Sequence, residues 1–360
     1  MIRCGSQCLT CDYPIHFDTY EGCSHNCKYC FVKHKYSIDN VKPINTIKSL
    51  KNFISGGRNL ETRWCDWNIP IHWGANSDPF QPCEREYKKS LECLRILADS
   101  KYPFIVSTKN PVLLTEEPYL SLIEQSNCVL QVSMACGKYD NLENGAPTYE
   151  ERLKAVKVLS AKVKRVVVRV RPYFPDAHKD ILNEIKRYKE NGVHSISISA
   201  YYSKKKQRGM TRYGNAYVFS NDFLYPKYVE IKNECHKHGI EFLCSECGLD
   251  HMGDNLNCCG CNGLDDFKGN DFNVSHLAYD EIEPEATEAM KQKDTYQPFK
   301  GIGQTQSWAL KCKHRTFEEL MYEIGGERIE WLKEQKEKYG GNEWEVVTVE
   351  EKEVGRVEER

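Results

Sequence analysis

Seven short runs rich in β-branched and aromatic residues, each separated from the next by a segment of helical period, leave few folds open to this chain. They occupy residues 15–20, 69–75, 103–108, 128–134, 165–171, 194–200 and 240–244. Between them, Thr46 precedes a helical face of Ile47, Leu50 and Ile54, and Thr148 with Glu151 makes a capping box ahead of Leu153, Val156 and Leu159. Asp176 likewise precedes Ile181, Leu182, Ile185 and Tyr188. Strands alternating with helices imply βαβ units around a parallel sheet, open or rolled into a barrel. No period of roughly 20 to 50 residues repeats beyond that alternation, which argues against a solenoid. With 360 residues the chain is long enough for one large α/β core and a small satellite.

In β/α folds the chemistry gathers at the carboxyl ends of the strands. Three stretches fall there: a cysteine triplet at Cys23, Cys27 and Cys30, the GANSD of residues 74–78, and the STKNP of residues 107–111. They would share one rim. The formal net charge of −2 offers no global basic field, so any contact with nucleic acid must be a local patch. No apolar run approaches the roughly 18 residues of a membrane span, and the first residues lack the basic-then-apolar pattern of a signal peptide. A cytoplasmic protein without membrane contact is expected. In such a compartment 18 cysteines point to metal or redox chemistry rather than disulfides. They crowd two regions, Cys4, Cys8, Cys11, Cys23, Cys27 and Cys30 at the start and Cys244, Cys247, Cys258, Cys259 and Cys261 later. Most of the others, such as Cys93 in a helical pattern, read as small buried apolar residues.

The triplet has the spacing C-x3-C-x2-C, with Phe31 directly after it. Four thiolates hold a typical cubane, so three leave one iron with an open coordination site. A zinc knuckle completed by His25 or His34 is the alternative on spacing alone. The triplet and Phe31 resemble the signature of the radical S-adenosylmethionine enzymes. The stretches IHWGANSDPFQPCEREYKKSLECL (residues 71–94) and PFIVSTKNP (residues 103–111) resemble more narrowly the spore photoproduct lyase and DNA photolyase-like branch, over about residues 20–202.

That resemblance implies a partial parallel (β/α)6-type barrel over residues 14–245. An N-terminal cysteine arm (1–13), a small Cys-rich metal-binding appendage (246–275) and a helical C-terminal extension with a charged tail (276–360) would surround it. It implies a 4Fe-4S cluster on Cys23, Cys27 and Cys30 whose open iron takes the amino and carboxylate groups of S-adenosyl-L-methionine. An electron, from a reducing partner such as flavodoxin or ferredoxin, would cleave the sulfonium to methionine and a 5'-deoxyadenosyl radical that abstracts hydrogen. By the same resemblance Phe31 lies against the adenine, Ser77 with Asp78 beside the amino group, Lys109 on the carboxylate and Ser133 on the ribose. Arg171 either reaches the same site or pairs with a rim carboxylate. Lys109 also makes local sense, since a cation ending an apolar strand needs a partner that a cofactor carboxylate would supply. One departure matters: lyases that reverse the spore photoproduct keep a hydrogen-donating cysteine two residues before the serine matching Ser77, and here Ala75 stands there. Photoproduct repair itself is thereby disfavoured, and Cys83 and Cys136 are the candidate thiol donors.

Two further stretches carry chemistry. Cys244, Cys247, Cys258 and Cys261 suit a closed zinc site or an auxiliary iron-sulfur cluster, and Cys4, Cys8 and Cys11 would join an accessory site. YYSKKKQRGMTRYGN, residues 201–215, interleaves Lys204, Lys205, Lys206, Arg208 and Arg212 with Tyr201, Tyr202 and Tyr213. Cations hold phosphates while aromatic rings stack on bases; the alternative is a solvated charged loop. The function expected is a radical enzyme acting on a nucleic-acid base or nucleotide. A peptide maturase or metabolite enzyme with an auxiliary cluster, and a non-catalytic zinc protein binding nucleic acid or a partner, are the competing readings.

Overall fold

The computed structural model describes residues 2–4, 10–30, 40–134, 136–279, 284–295, 315–319, 321–322 and 325–340. All seven expected strands form, as β2 (Ile15–Phe17), β3 (Ile71–Trp73), β4 (Phe104–Thr108), β5 (Cys128–Ser133), β6 (Arg165–Tyr173), β7 (Ser195–Ala200) and β11 (Glu241–Cys244). They pair in parallel in the order β2-β3-β4-β5-β6-β7-β11. A short β1 (Arg3–Cys4) adds antiparallel to β2, and the sheet does not close on itself among the described residues. The result is a partial barrel.

The two faces of this sheet differ because side chains alternate along each strand. Phe17, Trp73, Val106, Leu130, Val166, Val168, Ile196 and Phe242 are buried on the outer face, where Phe17 stacks on Trp73 at 5.2 Å. Helices α1 (Ile47–Ile54), α2 (Lys89–Ser100), α3 (Tyr119–Glu124), α4 (Tyr149–Leu159), α5 (His178–Glu190) and α6 (Asn221–Lys237) follow the successive strands; α6 packs on α5 and β11. The inner face is polar. His16, His72, Ser107, Gln131, Ser133, Arg169, Arg171 and Ser197 alternate there with the outward apolar residues, and Ser133, Arg169 and Ser197 lie in one cross-strand row.

The helix starts are made in different ways. Thr148 and Glu151 form the expected capping box at α4. Thr46 stands before α1 as expected, but its side chain makes no cap; its hydroxyl lies instead 3.8 Å from the Cys93 thiol. Asp176 sits in a short 3-10 turn, and Ala177 precedes α5. At α2 the cap comes from earlier in the chain: the buried Glu84 carboxylate accepts from Ser90 N at 2.9 Å and Leu91 N at 2.8 Å, with Tyr119 Oη donating at 2.8 Å. Glu84 thus ties the loop after β3 to the helix that follows it.

After β7 the chain makes a separate three-stranded antiparallel sheet, β8 (Tyr202–Ser203), β9 (Met210–Tyr213) and β10 (Ala216–Phe219), in the order β8-β10-β9. After β11 the Cys-rich segment crosses the inner face of the main sheet. Ser197 Oγ donates to Cys258 O at 2.8 Å, Gln131 Nε2 to Cys259 O at 3.4 Å, and Arg165 Nη1 to Gly260 O and Asn262 O at 3.0 and 2.6 Å. The N-terminal arm joins it, with Tyr13 Oη donating to Phe267 O at 2.7 Å and Asp12 accepting from Asn273 Nδ2 at 2.9 Å. Helices α7 (Val274–Tyr279), α8 (Pro284–Lys291) and α9 (Gly325–Tyr339) follow. The expected charged tail lies outside the described residues. No helix among the described residues is long and apolar enough to cross a membrane.

Candidate active site

The loops at the carboxyl ends of β2, β3 and β4 are tied to one another before any ligand is considered. Asp18, just beyond β2, accepts from Asn76 N at 3.0 Å and Ser77 N at 3.1 Å. The turn out of β3 needs glycine: Gly74 has φ +90°, and a Cβ there would lie 2.7 Å from Ser107 O. Asp78 then accepts from Phe80 N at 2.9 Å, Thr108 Oγ1 at 2.8 Å and Lys109 N at 2.6 Å, and stands 3.1 Å from His25 Nε2. Burial opposes its ionisation, yet His25 and the two backbone amides hold the carboxyl below the ordinary aspartate range. Asp78 is therefore a fixed anionic peg between three loops.

The cysteine loop is clamped to that frame. Ser77 Oγ donates to Gly22 O at 2.6 Å, and Gln81 bridges Gly22 O and Ser24 N at 3.2 and 2.8 Å. On its other side Lys28 N donates to Leu142 O at 2.7 Å, Gly145 N to His25 O at 2.9 Å, and the His25 ring lies 2.7 Å from Gly145 O. Close approach at Gly145 is tight: a Cβ would meet Ser24 O at 2.5 Å and His25 Cα at 2.8 Å, both backbone. Gly145→Ala is expected to push the cysteine loop off its seat, costing about 1–3 kcal/mol and lowering iron bound per chain after anaerobic reconstitution. Iron analysis beside a thermal melt checks both effects.

The frame encloses a cavity of about 390 Å³. Its lining includes Cys23, Cys27 and Cys30, and no other cysteine among the described residues. Burial pushes the Cys23 thiol up to about 12 and the Cys27 thiol up to about 11, as expected for thiols without a metal's charge beside them. No group of three His, Cys, Asp or Glu side chains among the described residues is arranged to hold a single metal ion. A cubane makes a different demand, because each thiolate binds its own iron and the sulfurs need not converge on one point. Three thiols facing one cavity from the loop after the first parallel strand of a partial barrel meet that demand. The chain is thus an open, mostly parallel β/α sheet, a partial barrel, with three cysteines at the carboxyl rim of its first parallel strand.

No family model matches the chain. The uncharacterized protein Rv2578c of Mycobacterium tuberculosis is 29% identical over 164 residues, 43% of this chain and 48% of the relative, and Mb2609c of Mycobacterium bovis matches equally. The chain thus spans about half the length of the curated relatives it matches. Among solved structures, a spore photoproduct lyase variant with bound AdoMet and dinucleoside spore photoproduct is similar at 13% identity and TM-score 0.48, covering 64% of this chain and 76% of the other. SuiB of Streptococcus suis bound to S-adenosylmethionine is similar at 13% identity and TM-score 0.46, covering 78% and 55%.

The cavity lining brings together Ser77, Asp78, Lys109, Ser133, Arg171, Tyr201 and Tyr202 with the three thiols. Phe31 and Cys8 lie outside the described residues. Cys83 and Cys136 are not in the lining; burial pushes the first thiol up to about 12 and raises the second. Lys204, Lys205, Lys206, Arg208 and Arg212 belong to the small sheet of β8 to β10 and its loops rather than to the cavity. Cys247 is exposed and contacts Arg328, away from its expected partners. Cys258 and Cys259 hydrogen-bond to each other, and Cys11 is close enough to interact with both. The accessory thiols therefore gather as Cys11, Cys258 and Cys259, between the N-terminal arm and the inner face of the sheet.

Two sets of site residues are unexpected. Lys109 Nζ already has a protein carboxylate 3.7 Å away, Glu143 Oε1. Glu143, 3% exposed, also pairs with Arg152 Nη2 at 2.6 Å and accepts from Tyr29 Oη, inside the cysteine loop. Arg152, 1% exposed, continues to Asp140 at 3.0 Å and Ser133 O at 2.8 Å. Burial opposes the charge on Glu143, but Lys109 and Arg152 hold its carboxyl below the ordinary glutamate range. The second set is the polar inner wall. His72 lies 2.8 Å from Ser107 Oγ and is pushed down to about 3 by burial and then by Arg169, so it stays neutral. The signal for this wall was in the sequence: residues 165–171 read RVVVRVR and 195–200 read SISISA, whereas parallel strands buried on both faces read as continuous apolar runs.

Proposed function

We propose that the protein is a radical S-adenosylmethionine enzyme whose substrate is a nucleic-acid base or nucleotide. The observation that carries the catalytic part is the trio Cys23, Cys27 and Cys30 lining one cavity with no fourth cysteine in the wall among the described residues. A three-thiolate iron-sulfur cluster with S-adenosylmethionine on its open iron supplies, when bound, a radical able to take hydrogen from an unactivated C–H bond. The chain's own residues do the holding. Ser77 and Gln81 clamp the cysteine loop, Tyr29 fastens it to Glu143, and Lys109 presents a cation in the lining for the cofactor carboxylate. Tyr201 and Tyr202 stand at the cavity on the side of the small sheet. The electron is expected from a flavodoxin or ferredoxin. Formation of 5'-deoxyadenosine by the reconstituted, reduced protein tests the reading.

The nucleic-acid part rests on continuity between cavity and cations. Tyr202 lines the cavity, is 49% exposed and begins β8, and Lys204, Lys205 and Lys206 follow after Ser203. Neutralising these three lysines is expected to weaken oligonucleotide binding and flatten its salt dependence, each lost phosphate contact removing roughly 0.7–0.9 from the log-log slope. Tyr202→Ala is expected to cost about 1–3 kcal/mol of binding with little change in slope, as a stacking platform would. A wild type that binds no oligonucleotide at low salt would leave a maturase or metabolite enzyme.

An accessory metal in the Cys-rich segment is the remaining element of the reading, and the interaction of Cys259 with Cys258, Cys11 and Cys261 supports a multi-iron cluster over a single ion. Metal analysis of a variant lacking Cys23, Cys27 and Cys30 is expected to show residual iron or zinc. A metal-free variant after anaerobic reconstitution would make these thiols ordinary buried cysteines.

A further inference from the structure

The inner wall carries a charge pattern that the cysteine loop and its clamps do not use. Arg169 and Arg171 stand two residues apart on β6, so both point to the inner face and into the cavity. Arg169 Nη1 donates to Ser107 Oγ at 2.8 Å, and Arg171 Nη2 donates to Ser197 Oγ. The Nε of each is buried and has no hydrogen-bond partner. No carboxylate is ion-paired with either guanidinium among the described residues, whereas Lys109 and Arg152 on the same rim are both paired with Glu143. Their polar neighbours Ser107, Gln131, Ser197 and His72 carry no compensating charge, His72 being held neutral.

Two guanidiniums side by side and out of bulk water repel each other, and a charge so placed costs several kcal/mol unless something pairs with it. Cys258, Cys259 and Cys11 lie within electrostatic reach of Arg169, and Cys258, Cys259, Cys244 and the buried Glu246 within reach of Arg171, yet the Nε of each guanidinium keeps no hydrogen-bond partner. Each guanidinium still has N–H groups free in its planar fork, the geometry that matches the oxygens of phosphate or carboxylate.

We propose that Arg169 and Arg171 form an oxyanion subsite on the cavity wall, which takes a phosphate or carboxylate group of the substrate and so fixes the substrate's orientation beneath the cysteine loop. This rests on the cavity being the reaction site proposed above. Oriented binding of that kind would spare the reaction a large part of its entropic cost.

The test is calorimetry on the reconstituted holoenzyme with inorganic phosphate and, separately, acetate, at fixed ionic strength. Saturable binding of at least one is expected, weakened about tenfold or more in Arg169→Gln and in Arg171→Gln; which anion binds tells phosphate from carboxylate. Arg169→Lys, which keeps the charge and loses the fork, guards against misfolding and is expected to fall between. Equal binding in wild type and variants, no saturable binding, or one-for-one competition with S-adenosylmethionine would each overturn the subsite. The two levels fail separately. A holoenzyme that forms 5'-deoxyadenosine but ignores both anions refutes only the subsite, and one that binds an anion through these arginines yet forms none refutes only the catalytic reading.

Discussion

Replacing Cys23, Cys27 and Cys30 together by alanine is expected to abolish 5'-deoxyadenosine formation while the chain remains folded. The loss is expected to be complete because among the described residues no other cysteine lines the cavity to replace a missing ligand. The fold survives because the loop is held by other means: Ser77 and Gln81 on Gly22 and Ser24, and Gly145 and Leu142 on His25 and Lys28. Circular dichroism with a product assay on the same preparation reads both halves. Undiminished 5'-deoxyadenosine from the triple variant would remove the cluster from these thiols.

The second large effect falls on stability. Arg152→Ala leaves Glu143 buried with Lys109 and Tyr29 but without its nearest cation, and leaves Ser133 O without its donor. Breaking a buried pair by removing one partner costs about 3–5 kcal/mol, and here the damage is next to the cysteine loop, so cluster loading falls as well. Chemical denaturation with iron analysis measures the two. The same network sets a pH dependence. Glu143 has an ordinary value of 4.5 and is held below it in the folded chain. The folded state therefore binds fewer protons than the unfolded one across that window. Its contribution is complete above the ordinary glutamate value and is lost as pH falls through the depressed one. Glu143→Gln should flatten the acid limb of the stability profile; an unchanged limb would show that the carboxylate is not ionised by the network.

Much of the frame is legible in the sequence, since every strand run over residues 15–244 becomes a strand of the one sheet and the capping box at Thr148 forms as written. Those are local signals, carried by residues a few positions apart. The Glu143 network is not local. Tyr29 and Glu143 are 114 residues apart, and nothing in the composition around residue 143 distinguishes that glutamate from the surface carboxylates nearby. Lys109 shows the consequence: local reasoning saw that its charge needs a partner, but only the fold supplies Glu143. The Cys-rich segment is a similar case. Its spacing announces thiols able to bind metal, yet only the folded chain shows Cys11 arriving from the N-terminal arm and Cys247 remaining apart with Arg328. The inner wall lies between these cases, visible as Arg and Ser alternation in β6 and β7 but assignable to a cavity only once the strands are ordered.

The proposed function requires that Cys23, Cys27 and Cys30 hold a cluster with one iron open to S-adenosylmethionine. Electron paramagnetic resonance of the wild-type protein, reconstituted with iron and sulfide and then reduced, tests it most directly when spectra are taken with and without S-adenosylmethionine in the Arg169 and Arg171 wild-type background. A reduced-cluster signal that shifts on adding S-adenosylmethionine, and is missing from the variant lacking Cys23, Cys27 and Cys30, is the expected result. A colourless protein that keeps zinc through these cysteines and gives no such signal would contradict it.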